Sequence, residues 1–192
     1  DRHINISRAK YTIDYPCSFM FVASMNPCPC GYYGDPTHRC VCTPGQIQRY
    51  MNKISGPLLD RIDIQCEISP VPFKDISKAA PGEPSAKIRE RVIRAREIQA
   101  ERFKDFKGIH CNAQMTERMI HQFAEPTEEG INLLRMAMEK LSLSARAYNR
   151  ILKVARTIAD LAGSQQIEPQ HLAEAIGYRT LDRGDWAERG HF

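Results

Sequence analysis

Hydrophobic and polar residues alternate along much of the first part of the chain. Residues 4–16 alternate around a basic centre, Arg8 to Lys10, which predicts a β-hairpin whose tip carries those charges. Residues 62–68 alternate in the same way, and residues 19–25 form an unbroken apolar run of strand length. Both are predicted strands, and the apolar run is predicted to be buried, as in a parallel sheet.

A helix is predicted between these two strands. Thr43 is a good capping residue, Pro44 suits the first helical position, and apolar residues recur at helical spacing from there towards Ser55. The preceding residues, 27–44, are rich in Gly, Pro, Cys and Tyr, and they are predicted to form a long loop that something must order.

Beyond residue 84 the apolar spacing is helical. Helices are predicted at residues 85–103, 115–123, from 127 onward, 144–163 and 169–177. The predicted N-caps include Ser85, Thr127 and Ser144. Residues 73–84 have no period and are rich in Pro, Gly, Lys and Ser, which marks a boundary. The fold class predicted is therefore an α/β region at residues 1–75, a linker at 76–84 and an all-α domain at 85–192.

Composition sets limits on function. The chain has 192 residues, of which 42% are hydrophobic, and a formal charge of +4 that permits nucleic acid or nucleotide partners without requiring them. Residues 87–107 hold eight Lys or Arg against four Asp or Glu, which either a solvated helix face or a polyanion contact explains. No apolar run approaches membrane length and no secretory signal is visible, so a cytoplasmic protein without a membrane partner is predicted.

Four of the seven cysteines lie in the predicted loop. Cys28 and Cys30 are separated by nine residues from Cys40 and Cys42, close enough for the loop to present four sulfurs to one ion. Zn²⁺ takes four thiolates tetrahedrally and would organise a loop that has no core of its own. Two alternatives stay open: His38 replaces one cysteine as a ligand, or the cysteines are reduced structural residues without a metal.

Three polar residues stand out beside the predicted elements. Asn26 follows the apolar run, where ligands bind in open α/β sheets, although an Asn-Pro turn explains it as well. Arg61 can fork onto phosphate oxygens or pair with Asp60 or Asp63. Arg146 lies in the first turn of a predicted helix, against the helix macrodipole, which indicates either a functional role or a plain surface arginine.

The order of these pieces resembles the second half of an AAA+ ATPase of the magnesium-chelatase-like group. The resemblance is carried by the basic hairpin, the apolar run ending in Met-Asn-Pro, the Leu-Leu-Asp-Arg-Ile-Asp segment at residues 58–63, and Ser-x-Arg at a helix start. Asn-Pro-Cys-Pro-Cys-Gly at residues 26–31 narrows it to the ComM/YifB branch of bacterial ATPases. The helical domain then corresponds to the lid of such an ATPase.

The resemblance implies a role for each singled-out residue. Asn26 is then the sensor-1 residue that positions the attacking water, Arg61 an arginine finger acting in trans, and Arg146 the sensor-2 arginine of the lid. Arg8 and Lys10 lie on the hairpin that faces DNA in the pore of a ring. ATP and Mg²⁺ as ligands, a hexamer, and branch migration of DNA during competence and recombination are implied as well.

The chain contains no G-x-x-x-x-G-K-[S/T] motif and no apolar strand ending in paired acids. It also does not begin with Met, so we expect a longer protein whose phosphate loop lies upstream of Asp1. The chain alone is expected to be inactive. Two rival functions stay open: an ATPase subunit of a complex that inserts Mg²⁺ into a porphyrin, and a non-enzymatic zinc and helix module that docks partners.

Overall fold

Helices dominate the structure, a computed structural model that describes residues 3–68, 71, 75, 77, 82–141 and 143–179. The elements in chain order are β1 His3–Arg8, β2 Tyr11–Pro16, α1 Pro44–Met51, α2 Gly56–Leu59, α3 Ser85–Phe103, α4 Glu117–Phe123, α5 Glu128–Lys140, α6 Ala145–Ala162 and α7 Pro169–Gly177. A small sheet followed by helices agrees with the predicted order of an α/β region and an all-α region. Of the predicted linker, 76–84, only residues 77 and 82–84 are among the described residues.

The predicted hairpin is confirmed. β1 pairs antiparallel with β2 from His3 opposite Pro16 to Arg8 opposite Tyr11, which leaves Ala9 and Lys10 as the turn. Because side chains alternate along a strand, one face of the hairpin is apolar and the other polar. The apolar face consists of Ile4, Ile6, Ile13 and Tyr15, each about half exposed.

The two other predicted strands are wrong. Residues 19–25 pair with no strand among the described residues, and Met20 and Val22 are 87% and 80% exposed. The ladder hydrogen bonds that define a strand need a neighbouring strand, and no described strand lies next to this run. Residues 62–68 contribute one isolated bridge, between Gln65 and Arg179.

The helix predicted after the loop is confirmed, although it ends sooner. Thr43 and Gln46 form a reciprocal capping box at the start of α1, and Ile47 is the buried residue of the helix. α1 ends at Met51, and the short α2 follows, with Asp60 at its C-cap. The segment that carries Arg61 therefore begins directly after a helical turn.

Local signals placed the remaining helices correctly, with two exceptions. Thr127 and Ser144 cap α5 and α6 as predicted, and Gly163 ends α6 with a φ of 71°, which suits glycine. The predicted cap at Ser85 is wrong, since Pro84 holds that position without a side-chain hydrogen bond. The short helix predicted at 115–123 starts later, at Glu117. Within the described ranges, none of the helices has the length and apolar character needed to cross a membrane.

The core lies in the helical domain. It comprises Phe103, Met115, Met119, Ile120, Ala124, Leu134, Ile151, Leu152, Ala155, Ala159, Ile167, Leu172 and Ala175. Four apolar residues recur at helical spacing on α3, and of these only Ala95 is buried, while Ile88, Val92 and Ile98 are 39–45% exposed. The core contact of α3 is therefore confined to its C-terminal half.

A buried polar network crosses this core. Asp160, with no exposed side-chain surface, accepts hydrogen bonds from Arg102 (2.8 and 2.5 Å), Asn112 (2.7 Å) and Arg156 (3.0 Å). Burial lowers the pKa of Arg156, and the Asp160 carboxylate opposes that shift. Since one buried carboxylate holds two guanidinium groups, α3 and α6 are tied together independently of the apolar contacts.

Candidate metal site and nucleotide-contacting residues

The four cysteines of the loop converge on one point. Their sulfurs all lie within 4.8 Å of one another, and Cys28 is buried. Cys28 Sγ lies 3.3 Å from Cys30 Sγ and 3.7 Å from Cys40 Sγ, and Cys30 Sγ lies 3.5 Å from Cys40 Sγ. These separations are too long for disulfides. A Zn²⁺ ion at about 2.3 Å from four sulfurs holds them roughly 3.8 Å apart, so the spacing fits a tetrahedral metal site.

Backbone amides point at these sulfurs. Hydrogen bonds from the N–H groups of Tyr32 and Val41 lower the pKa of the Cys30 thiol to about 6. Burial raises the pKa of Cys40 to about 12, although the N–H of Cys42 opposes it. Amide donors to sulfur stabilise thiolates, while packing four thiols together penalises the charge, and a bound cation removes that penalty.

The rest of the loop is held by its own hydrogen bonds. Asp35 accepts from the N–H and hydroxyl of Thr37 and from the N–H of His38, which lowers the pKa of Asp35 to about 2. His38 contacts Asp35 and stacks on Tyr32, with ring centroids 4.8 Å apart, and does not belong to the sulfur cluster. The arrangement therefore favours four cysteines over the alternative in which His38 is a ligand.

Asn26 lies at the entrance to this loop. Its side chain is exposed, and its Nδ2 is 3.9 Å from the position that a Cβ would take on Gly31. Gly31 has a φ of 87°, a conformation that glycine adopts without strain. Asn26 thus stands beside the cysteine cluster and not at the end of a formed strand.

Arg61 follows α2 on an exposed stretch of chain. Its Nη1 donates to the carbonyl of Pro57 at 2.7 Å. The alternative in which Arg61 pairs with Asp60 or Asp63 is not what the structure contains, because Asp60 faces Arg179 and Asp63 pairs with Arg150. Among the described residues, no ion pair involves Arg61.

Arg146 is the second residue of α6 and is exposed. Ser144, the N-cap of the helix, accepts from the N–H of Ala147 and donates its hydroxyl to Asp60 Oδ2 at 3.2 Å. This bond joins the residue before Arg61 to the helix start that carries Arg146. In the described ranges, no hydrogen bond or ion pair connects Asn26, Arg61 and Arg146 directly.

The structure adds a residue that the sequence did not indicate. Arg179 comes just after α7 and is 1% exposed, and its Nη1 donates to the carbonyl of Ile62 at 2.5 Å. Gln65 pairs with the same stretch, since its N–H donates to the carbonyl of Tyr178 at 2.8 Å. An arginine behind a helix end is ordinarily a surface residue, so no sequence signal identifies this one as buried.

Comparison with protein families accounts for both parts of the chain. Residues 1–76 match the family model described as magnesium chelatase, subunit ChlI, and residues 82–179 match the model of the C-terminal region of that subunit. The chain therefore belongs to the magnesium chelatase ChlI family, as its motifs predicted.

Curated relatives narrow the comparison. The chain is 45% identical to the competence protein ComM of Haemophilus influenzae over 181 residues, which are 94% of this chain and 34% of that protein. It is 44% identical to the uncharacterized protein YifB of Escherichia coli, with the same coverage. An uncharacterized protein of Mycobacterium tuberculosis is 35% identical over 93% of this chain and 35% of its own length. The chain thus spans about a third of the length of these relatives, and the predicted resemblance to ComM and YifB is confirmed.

Proposed function

We propose that this chain is the second half of an AAA+ ATPase core together with its lid, from a hexameric ring that uses ATP and Mg²⁺ to remodel DNA. The observation that carries the proposal is the hydrogen bond between Asp60 and Ser144, because it brings together the chain segments of Arg61 and Arg146. Both arginines are exposed, and a side chain must be exposed to reach the phosphates of a nucleotide. Membership of the family supports the assignment.

Arg61 suits an arginine finger that acts on the nucleotide of a neighbouring subunit. A finger must be charged, accessible and mounted on an ordered segment, so that it meets the charge that develops on the transferred phosphoryl group. Arg61 is exposed and its side chain donates to the nearby Pro57 carbonyl, whereas the neighbouring Asp60 bonds to Ser144 of the lid. From its position on the lid, Arg146 then contacts a phosphate of the nucleotide, and Asn26 orients the attacking water.

The hairpin suits a contact with the phosphate backbone of DNA. Arg8 and Lys10 are exposed at one end of a two-stranded ribbon, and all the residues of its two strands are exposed as well. Two cations on a ribbon tip contact phosphates without reading base sequence. The name of the relative ComM, a competence protein, agrees with a role in handling DNA.

The four cysteines suit a structural Zn²⁺ site. Cys28, Cys30, Cys40 and Cys42 would hold the ion, and the ion would fix the loop between Asn26 and α1. All seven cysteines are free thiols. We infer that the protein works in the reducing cytoplasm, where such a site keeps its thiolates.

A second candidate function is the ATPase subunit of a complex that inserts Mg²⁺ into a porphyrin, because the matching family models carry that name. The two functions share the proposed nucleotide residues and differ at the hairpin. Only the DNA-remodelling function requires Arg8 and Lys10 to meet phosphates.

Replacing Arg8 and Lys10 by alanine in the full-length protein is therefore expected to leave basal ATP turnover within about twofold and to remove its stimulation by DNA. The charges touch DNA phosphates and not the nucleotide, so the two readouts separate. The plot of log affinity for DNA against log salt concentration should become less steep, by an amount that corresponds to roughly two fewer released counter-ions. The measurements are turnover with and without DNA, and a salt titration of binding.

The matched control removes two charges elsewhere, through Arg135→Ala with Lys140→Ala on the exposed side of α5. The control should keep both the stimulation and the salt slope. Normal stimulation and an unchanged slope in the hairpin variant would refute the hairpin assignment. Absence of any DNA effect in the unmodified protein would favour the chelatase function.

A further inference from the structure

Arg179 holds the chain on both sides of Arg61. Its Nη1 donates to the carbonyl of Ile62 at 2.5 Å, and its Nη2 lies 3.8 Å from Asp60 Oδ1. Ile62 and Asp60 are the residues immediately after and before Arg61. One guanidinium group thus brackets the residue proposed as the arginine finger.

Arg179 is itself fixed. It is 1% exposed, and it forms a parallel bridge with Gln65, whose N–H donates to the carbonyl of Tyr178. The Gln65 side chain in turn donates to the carbonyl of Leu59 at 3.3 Å. Chain segments on both sides of the short turn at residues 59–62 are therefore attached to the end of α7.

The two-sided geometry of this contact suits arginine. A planar guanidinium presents its nitrogens in two directions at once, so one nitrogen donates to the Ile62 carbonyl while the other lies at ion-pair distance, 3.8 Å, from the Asp60 carboxylate. Lysine keeps the charge but presents it at a single point. After an Arg179→Lys substitution, the ammonium group therefore keeps either the Ile62 or the Asp60 interaction and cannot hold both in this geometry.

We propose that Arg179 is a positioning residue for Arg61. It fastens the turn at residues 59–62 to the lid, so that the lid and the arginine finger move as one body. This inference rests on the proposed function, because it needs Arg61 to act on ATP. Arg179 is buried, so it acts through the turn and does not meet the nucleotide.

The test is Arg179→Lys in the full-length protein, with ATP turnover, ATP affinity, thermal stability and hydrogen exchange measured together. We expect turnover to fall roughly 10- to 100-fold, because a small misplacement of a catalytic group costs that much. ATP affinity should stay within about threefold, since a finger acts mainly on the transition state. The Gln65 amide should exchange at least about tenfold faster, because the segment at Tyr178 that accepts its hydrogen bond is loosened.

Arg156→Lys is the matched control. Arg156 is equally buried in the same lid, where it binds Asp160 and the carbonyls of Ser164 and Gln165, and it does not contact the turn. This variant should lower thermal stability while turnover stays within about twofold. A loss of turnover proportional to the loss of stability in both variants would show that Arg179 is merely structural, and would overturn the proposal.

Asp60→Asn provides a second variant in case Arg179→Lys folds poorly. It removes the charge that faces Arg179 while keeping an oxygen that accepts from Ser144, and its side chain is 28% exposed. Turnover should fall in the same direction but by less. Normal turnover in both variants beside an inactive Arg61→Ala protein would refute the positioning role and leave the finger standing. An active Arg61→Ala protein would overturn both.

Discussion

Arg61→Ala in the full-length protein is expected to reduce ATP turnover by about 10³- to 10⁵-fold, the range typical of a lost arginine finger. ATP affinity should change by less than about threefold, because the guanidinium stabilises charge that develops only in the transition state. The exposure of Arg61 and its position on the turn held by Arg179 are the structural reasons for this expectation. Steady-state turnover and equilibrium binding of ATP separate the two effects.

Two further variants sharpen this prediction. Arg61→Lys should recover little turnover, because a point charge does not replace a fork on phosphate oxygens. Arg49→Ala removes an exposed arginine from α1, outside the proposed site, and should leave turnover within about twofold. Turnover of Arg61→Ala within about tenfold of normal would contradict the assignment of Arg61.

Removal of the proposed zinc ligands is expected to have the second large effect. The unmodified protein should contain about one Zn²⁺ per chain, and Cys28→Ser with Cys42→Ser should contain almost none, because a serine hydroxyl is a poor zinc ligand. The loop between Asn26 and α1 should then become accessible to proteases, since an ion would no longer join the two cysteine pairs of the loop. Metal analysis and limited proteolysis measure the two consequences.

Cys66→Ser is the control for the metal site, because Cys66 is exposed and lies outside the sulfur cluster. It should keep the full metal content. A purified protein that contains no metal, and that is equally stable with and without a chelator, would show that the cluster is four reduced structural cysteines.

Signals that act within a few residues predicted the fold well. Thr127 and Ser144 cap helices because their side chains meet an amide three residues on, and Gly163 ends a helix because its backbone turns left-handed. The four cysteines converge because two short pairs can fold back within one loop. Each of these features depends on neighbours in sequence, and the sequence contains them.

Features that depend on distant partners could not be predicted. The apolar run at residues 19–25 has the composition of a strand, but a strand exists only beside another strand. The partners of Asp60 and Asp63 come from the start of α6, more than eighty residues away. Arg179 shows the same limit, because nothing around it in sequence distinguishes a buried arginine from an exposed one.

The functional roles of Asn26, Arg61 and Arg146 came from motif order and stay predictions. The structure contributes the physical setting of two of them, since Arg179 of the helical region holds the turn that carries Arg61 and the Asp60–Ser144 hydrogen bond reaches the start of α6. The nucleotide itself requires a phosphate loop, which this sequence does not contain.

A mixed-ring experiment tests the central proposal, an ATPase ring whose arginine acts in trans, most directly. Full-length Arg61→Ala is mixed with a full-length variant whose phosphate loop is disabled, and turnover is followed across mixing ratios. At equal mixing about one interface in four pairs a working phosphate loop with a working Arg61, so turnover should recover to roughly a quarter of normal. Two inactive variants that stay inactive at every ratio, under conditions where the subunits exchange, would contradict it.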